Sequence, residues 1–198
     1  MTSLLRPALA MILGLTLLTG LAMPLAMTGI ARLAFPWQAG GSLVERNGRI
    51  IGSTLIGQDF TSPRHFHGRP SATTEADPAA PGGTRPAPYN AAAGAASQLG
   101  PTSEALREAI RQRIAAATAT APGPVPADAV TASGSGLDPD ISLENARRQA
   151  PGIAAARGLP VARVLALIEH EASPRALGLL GEARVNVLRL NLALDAEP

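Results

Sequence analysis

Apolar positions are distributed unevenly along this chain. Between Arg6 and Arg32 there is no charged side chain, and the 25 residues of Pro7–Ala31 read PALAMILGLTLLTGLAMPLAMTGIA. A helix needs about 20 apolar residues to cross a hydrocarbon core, and it satisfies its own backbone hydrogen bonds there. The pattern predicts a membrane-spanning helix over 7–31, after a short N-terminal flank of residues 1–6. A cleaved signal peptide carries a shorter apolar run and an A-x-A-like site, and no clean site of that kind follows here. A core helix keeps a polar face, which this stretch lacks. Phe35 and Trp37 come next, and aromatic rings favour the membrane–water interface.

Beyond the apolar run the pattern becomes mixed. Ser42–Arg46 and Arg49–Leu55 flank Asn47-Gly48, a strong hairpin signal because both turn residues accept positive φ. Turn residues punctuate 58–68. The Ala, Pro, Gly and Thr of 72–100 predict an irregular loop. Thr102 is a candidate N-cap for a helix to about Ala117, with Leu106, Ile110 and Ile114 as its buried stripe. Pro122, Pro124 and Pro126 read as an extended linker. Residues 130–142 read as a short strand and then a turn. Ser142 caps a helix that Pro151 is expected to interrupt, and Gly158 has the place of a C-terminal capping glycine. Pro160 opens a helix at its first position, with Val161, Val164, Leu165 and Ile168 facing inward. Ser173-Pro174 ends it. The alternation of leucines in Arg184–Leu194 predicts a half-buried strand. The reading is an α+β fold: one transmembrane helix, then a single mixed domain over 32–198.

Composition narrows the chemistry. The net charge is +2, and all 17 basic residues are Arg; the chain has no Lys and no Cys. A P-loop lysine and a Schiff-base amine are therefore absent. So are thiol nucleophiles, disulfides and Cys-ligated zinc. Arg6 and the amino terminus on one side and Arg32, Arg46 and Arg49 on the other nearly balance the positive-inside rule. The short N-terminal flank favours an N-terminus inside. Lack of cysteine is compatible with an oxidising compartment.

Few residues suggest a reaction. His65 and His67 would need a third ligand to hold a metal, and His170 lies far off on a helix. Ser135 sits in a Gly-Ser turn without a G-x-S-x-G context. The SGSG turn could offer N–H groups to an anion, although a plain tight turn is the simpler reading. Arg69-Pro70-Ser71 and Arg85 are candidates for carboxylate or phosphate contacts, or for structural bonds to carbonyls. A membrane-anchored extracytoplasmic hydrolase and a surface binding module remain as alternatives.

Three stretches taken together are more specific: STLIGQDFTSPRHFHGRPSA (53–72), VTASGSGLDPDIS (130–142) and GEARVNVLRLNLALD (181–195). With RPAL before the apolar run and FPWQAGGSL (35–43) after it, they resemble the KdpC family, the C subunit of the Kdp potassium-transporting ATPase. The resemblance implies a non-catalytic subunit of a bacterial inner-membrane complex for high-affinity potassium uptake. Its implied partners are a channel-like subunit and a P-type ATPase subunit. It implies an assembly factor and catalytic chaperone that raises the pump's ATP affinity, with its soluble domain outside the cytoplasm. It ties Gln58 to nucleotide, with ATP entering through a ternary complex with the ATPase subunit. No metal is expected in this chain. Candidate partner contacts are Gly14, Gly20, Phe60, Phe66, Arg69, Pro70 and Ser71, the glycines because small residues let membrane helices approach. His65 stands where the family usually has Tyr. AAAGAASQL (91–99) replaces the usual S-G-G-S-N-L and has lost most of its hydroxyls.

Overall fold

The computed structural model describes residues 2–197 and divides into two units, one ending at Ile51 and the other starting at Gly52. In the first unit α1 (Thr2–Leu17), a π-helical turn (Leu18–Ala22) and α2 (Met23–Ala34) run on without a break. Leu4–Ala34 is 31 residues at a mean hydropathy of 2.0, long and apolar enough to cross a membrane. The helix extends past the expected 7–31 at both ends. The π-turn has a local cause. Pro24 has no N–H for the carbonyl four residues back, and the Met23 N–H reaches five residues back to Leu18 O. Thr19 Oγ1 donates to Leu15 O at 2.7 Å in the same region. Gly14 and Gly20 face open space, where an added Cβ meets nothing.

After α3 (Pro36–Ala39), β1 (Leu43–Arg46) and β2 (Arg49–Ser53) form the expected hairpin. Asn47 at φ +53 and Gly48 at φ +74 have the positive φ values a type I′ turn demands.

The second unit is built on helices. A short hairpin of β3 (Thr74–Ala76) and β4 (Thr84–Pro86) gives part of the 72–100 loop regular structure. The helix α4 (Glu104–Thr120) is capped by Ser103, one residue beyond the expected Thr102, and Ile114 is exposed instead of buried. Where a strand was expected near 130, the chain makes a single helical turn, α5 (Ala127–Val130), and no strand begins until β5 (Asp140–Ser142). Then come α6 (Leu143–Arg157), α7 (Val161–Glu171), β6 (Ala172–Ser173), β7 (Arg184–Asn186) and α8 (Val187–Asp195). The strands form an antiparallel sheet with β7 between β5 and β6, in register Ile141 to Val185 and Ala172 to Val185.

Two further expectations are corrected. Pro151 does not interrupt α6; it lies on the exposed face of the helix, where loss of one backbone N–H is tolerated best because solvent can replace the missing donor. The strand expected over 184–194 stops at Asn186. The Asn186 side chain accepts from Arg189 N at 3.1 Å and caps α8. The leucines then bury on a helical face with Val187, Leu188, Leu190, Asn191 and Leu194 inside. Ser142 caps α6 as expected, and Gly158 ends it in the left-handed region at φ +72. Pro160 is the N-cap of α7, one place before the first-turn position expected. The core joins α6, α7 and α8 to the sheet through Ala146, Ala150, Ile153, Val164, Ile168, Val185, Leu190 and Leu194.

Candidate functional site

The stretch 57–73 has little secondary structure of its own, so its backbone groups need partners elsewhere. Side chains of α6 and α8 supply many of them. Asn191 accepts from Phe66 N at 2.7 Å and donates to Phe66 O at 3.0 Å. Gln149 does the same for His67, at 2.8 and 3.1 Å. Arg157 donates to Arg64 O at 2.6 Å, and Arg64 donates to Ala156 O at 3.2 Å. Two amides and a pair of guanidiniums thus fix Arg64, Phe66 and His67 to the helical core.

Phe66, expected at a partner contact, is instead wholly buried within that core. Its apolar ring fills the space between helices, and the paired amide bonds remove the cost of burying its backbone. Phe60 packs on the edge of the same core, its ring 5.7 Å from that of His65. His65 bonds to Asp195 at 3.1 Å, and Asp195 also takes Arg157 at 2.6 Å. His65 and His67 do not share a strand face: one points to Asp195 and the other is exposed. Among the described residues, no group of three or more His, Cys, Asp or Glu is placed to hold a metal ion.

Next along the chain, Arg69 reaches Asp138 at 2.9 Å and Thr131 Oγ1 at 3.4 Å, and Pro70 O accepts from Ser133 N at 2.9 Å. Ser71 Oγ bonds to Gly136 O and Thr73 Oγ1, both at 2.8 Å, and accepts from Tyr89 N at 3.1 Å. Thr73 Oγ1 lies 2.6 Å from Ala87 O and accepts from Asn90 N at 3.2 Å. This hydroxyl pair ties three loops into one body. The loop at 91–99 is short of hydroxyls, and the joint is made by Ser71 and Thr73 from the other side. Arg69 with Asp138, Asp140 and Arg184 also lines an open cleft of about 200 Å³.

Tyr89 closes this region. Its ring lies against Gly57 and Gly68, in space a Cβ at either position would invade. Its hydroxyl donates to Arg69 O at 2.6 Å. Burial pushes its pKa up to about 12, with Asp138 and Asp59 adding to the rise. Gln58 lies over Gly52 in the same way, filling the place of a missing Cβ beside Leu188.

The remaining candidates have local roles. Ser135 Oγ accepts from Leu137 N at 3.1 Å, and Ser133 Oγ accepts from Gly136 N at 3.1 Å. These N–H groups, at the end of the SGSG turn and just after it, are engaged locally rather than aimed at an anion. Arg85 pairs with Glu75, exposed on the β3–β4 hairpin. Asp128, not singled out from the sequence, accepts from Ser142 N, Ser142 Oγ and Asn145 Nδ2 at 2.8 to 3.1 Å. Asn191, Gln149, Arg157 and Asp195 were also missed. The one sequence cue for Asn191 was a polar residue in the middle of a leucine run.

Comparison with known proteins covers this architecture nearly end to end. The family described as "KdpC: K+-transporting ATPase, c chain" matches residues 5–196. A potassium-transporting ATPase KdpC subunit of Methylorubrum extorquens is 59% identical over 195 residues, 98% of this chain and 97% of that one. Its counterpart in Methylorubrum populi is 57% identical over 192 residues, and one in Rhodopseudomonas palustris is 56% identical over 192, each covering 96% of both chains. The match takes in the apolar helix, the clamped 57–73 stretch and the capped α8 alike, and the chain belongs to the KdpC family.

Proposed function

We propose that the protein is a non-catalytic accessory subunit of an ATP-driven, high-affinity potassium uptake pump. The observation that carries this reading is the family match over residues 5–196, which includes both the apolar helix and the folded domain. The helix anchors the chain in the bacterial inner membrane with the N-terminus cytoplasmic, and the domain over 32–198 is extracytoplasmic. The partners are a channel-like subunit and a P-type ATPase subunit, with the lipid bilayer around the anchor. Gly14 and Gly20 support close packing of the anchor on a partner helix. Arg69, Pro70 and Ser71 are half-buried and present part of their surface for the soluble contact.

The accessory role includes assembly of the complex and an increase in the ATP affinity of the ATPase subunit. ATP belongs to a ternary complex with that subunit. Gln58 has a neutral amide, which suits hydrogen bonding but supplies no charge for phosphates. With its domain outside and ATP inside, Gln58 acts on nucleotide through the pump's conformational equilibrium. Such coupling is reciprocal: ATP strengthens the hold of the ATPase on this chain by the same factor.

The test compares ATP-dependent turnover of the purified pump with and without this chain, and with Gln58→Ala. Loss of the chain is expected to raise KM for ATP, and the isolated chain to show no turnover. An unchanged KM would remove the chaperone role. Hydrolysis by the isolated chain would restore the enzyme alternative.

A further inference from the structure

The longest helix of the second unit has no buried residue. α4 runs for 17 residues without one, whereas α6 and α8, both shorter, each bury five. Its apolar stripe is half covered: Leu106 and Ile110 are partly buried, and Ile114 is 41% exposed. What keeps α4 helical is local. Six of its residues are Ala, the strongest helix former. Ser103 caps it by accepting from Leu106 N, and Glu104 lies in the first turn, where the helix dipole favours an acid. Glu104 pairs with Arg107, Glu108 pairs with Arg111, and Gln112 donates to Glu108 at 2.9 Å. Most protein helices depend on a buried face. This one is supported from within and weakly docked.

Its hold on the domain is polar. Arg113 donates to Val130 O at 2.9 Å. Arg148 on α6 donates to Ala117 O at 2.7 Å and to Ala121 O, placing a cation at the C-terminal end of the α4 dipole. The Nε of Arg148 is buried with no partner among the described residues. A buried N–H without a partner carries a cost, and water removes that cost when α4 moves away. Both flanks leave room for the movement. An added Cβ at Gly100 or Gly123 meets nothing, and Gly123 takes φ +112. Pro122 and Pro124 have no N–H and stop the helix from growing into its C-terminal flank. Between the end of α4 and α6 lies a cavity of about 230 Å³. Thr120 and Ala121 form one wall; Gly152 and Ile153 of α6, with Pro63 and His67 of the clamped stretch, form the others.

We propose that α4 is a strap that lifts from α6 as a preformed helix on flanks hinged at Gly100 and Gly123. Arg148 is its latch, and lifting opens the cavity beside the clamped stretch. The device belongs to the folded domain and stands apart from the accessory-subunit reading. Arg148 and Gln149 are neighbours on α6, so the latch on α4 and the clamp on His67 meet at one cavity.

A chain without cysteine can be spin-labelled at chosen pairs. Ala116→Cys with Ala155→Cys reads α4 against α6, and Ala155→Cys with Ala166→Cys reads α6 against α7. The four exposed label sites are placed in the full chain in nanodiscs. The strap pair is expected to show a short and a long distance, and the reference pair one distance. Arg148→Met keeps the apolar stem and removes the donors. It is expected to raise the ratio of long to short about tenfold, the scale of one lost hydrogen bond from a charged group. Helical circular dichroism is expected to stay in place. A single distance for the strap pair in both chains, or an unchanged ratio, overturns the proposal. A falling helical signal overturns it as well, because α4 then melts instead of lifting. So does a split in the reference pair, which would mean that the whole domain loosens.

Discussion

Asn191 on α8 holds Phe66 from 125 residues away in sequence, accepting from its N–H at 2.7 Å and donating to its carbonyl at 3.0 Å. Both residues are buried. A side-chain amide offers a donor and an acceptor side by side without any change of charge. It therefore pairs with a strand-like backbone as another strand would. The clamp lets an irregular segment run through a helical core with its polar groups satisfied.

Replacing Asn191 with Leu leaves the Phe66 N–H and carbonyl buried without partners. Each such group costs about 1–3 kcal/mol. The expected loss is about 3 kcal/mol, read from the denaturant midpoint of the full chain. A loss below about 1 kcal/mol would mean that the segment reorganises and that the clamp does not hold it.

Tyr89 is the sole tyrosine, so phenolate absorbance reads it directly. Its midpoint is expected near about 12 rather than the ordinary 10.0. The sign follows from linkage: the folded state holds the proton more tightly. Its contribution to stability is complete below the unfolded pKa and is lost as pH rises toward the folded value. A midpoint near 10 would show that the ring is not buried between Gly57 and Gly68.

Asp195 gives the opposite dependence. Burial works against its ionisation, but hydrogen bonds from Arg157 and His65 outweigh it and hold the carboxyl below its ordinary 3.8. Its stabilisation is present above that ordinary value and is lost as pH falls through the depressed one. Asp195→Asn is expected to cost up to about 1 kcal/mol at neutral pH, since the site is partly solvated. The gap from wild type should close in acid. A pH-independent gap would point to lost packing.

Leu17 precedes the π-turn near the middle of the apolar helix. An arginine at mid-bilayer costs about 2.5–3.5 kcal/mol on insertion scales. Leu17→Arg is expected to lower the yield of membrane-inserted chain and of assembled complex. Unchanged yields of both would exclude a membrane-spanning helix centred there.

The legible features were those with a local cause. The Asn47-Gly48 turn, the Ser142 cap and the Gly158 terminus each follow from what two or three neighbouring residues can do. The β3–β4 hairpin was not legible because its strands have three residues each and carry no apolar alternation. The leucines of 188–194 fit a strand period, and Asn186 decided against it by capping a helix.

By itself the sequence determined that one segment is apolar enough for a membrane, that thiol and lysine chemistry are absent, and where the tight turns lie. These depend on composition and on neighbours along the chain. Only the tertiary structure decided that Phe66 is core rather than surface, and that Gln149 and Asn191 are clamps. A buried polar group takes whatever partner the fold brings within about 3 Å. Across the 82 residues to Gln149 or the 125 to Asn191, no periodicity in the chain records which partner that will be.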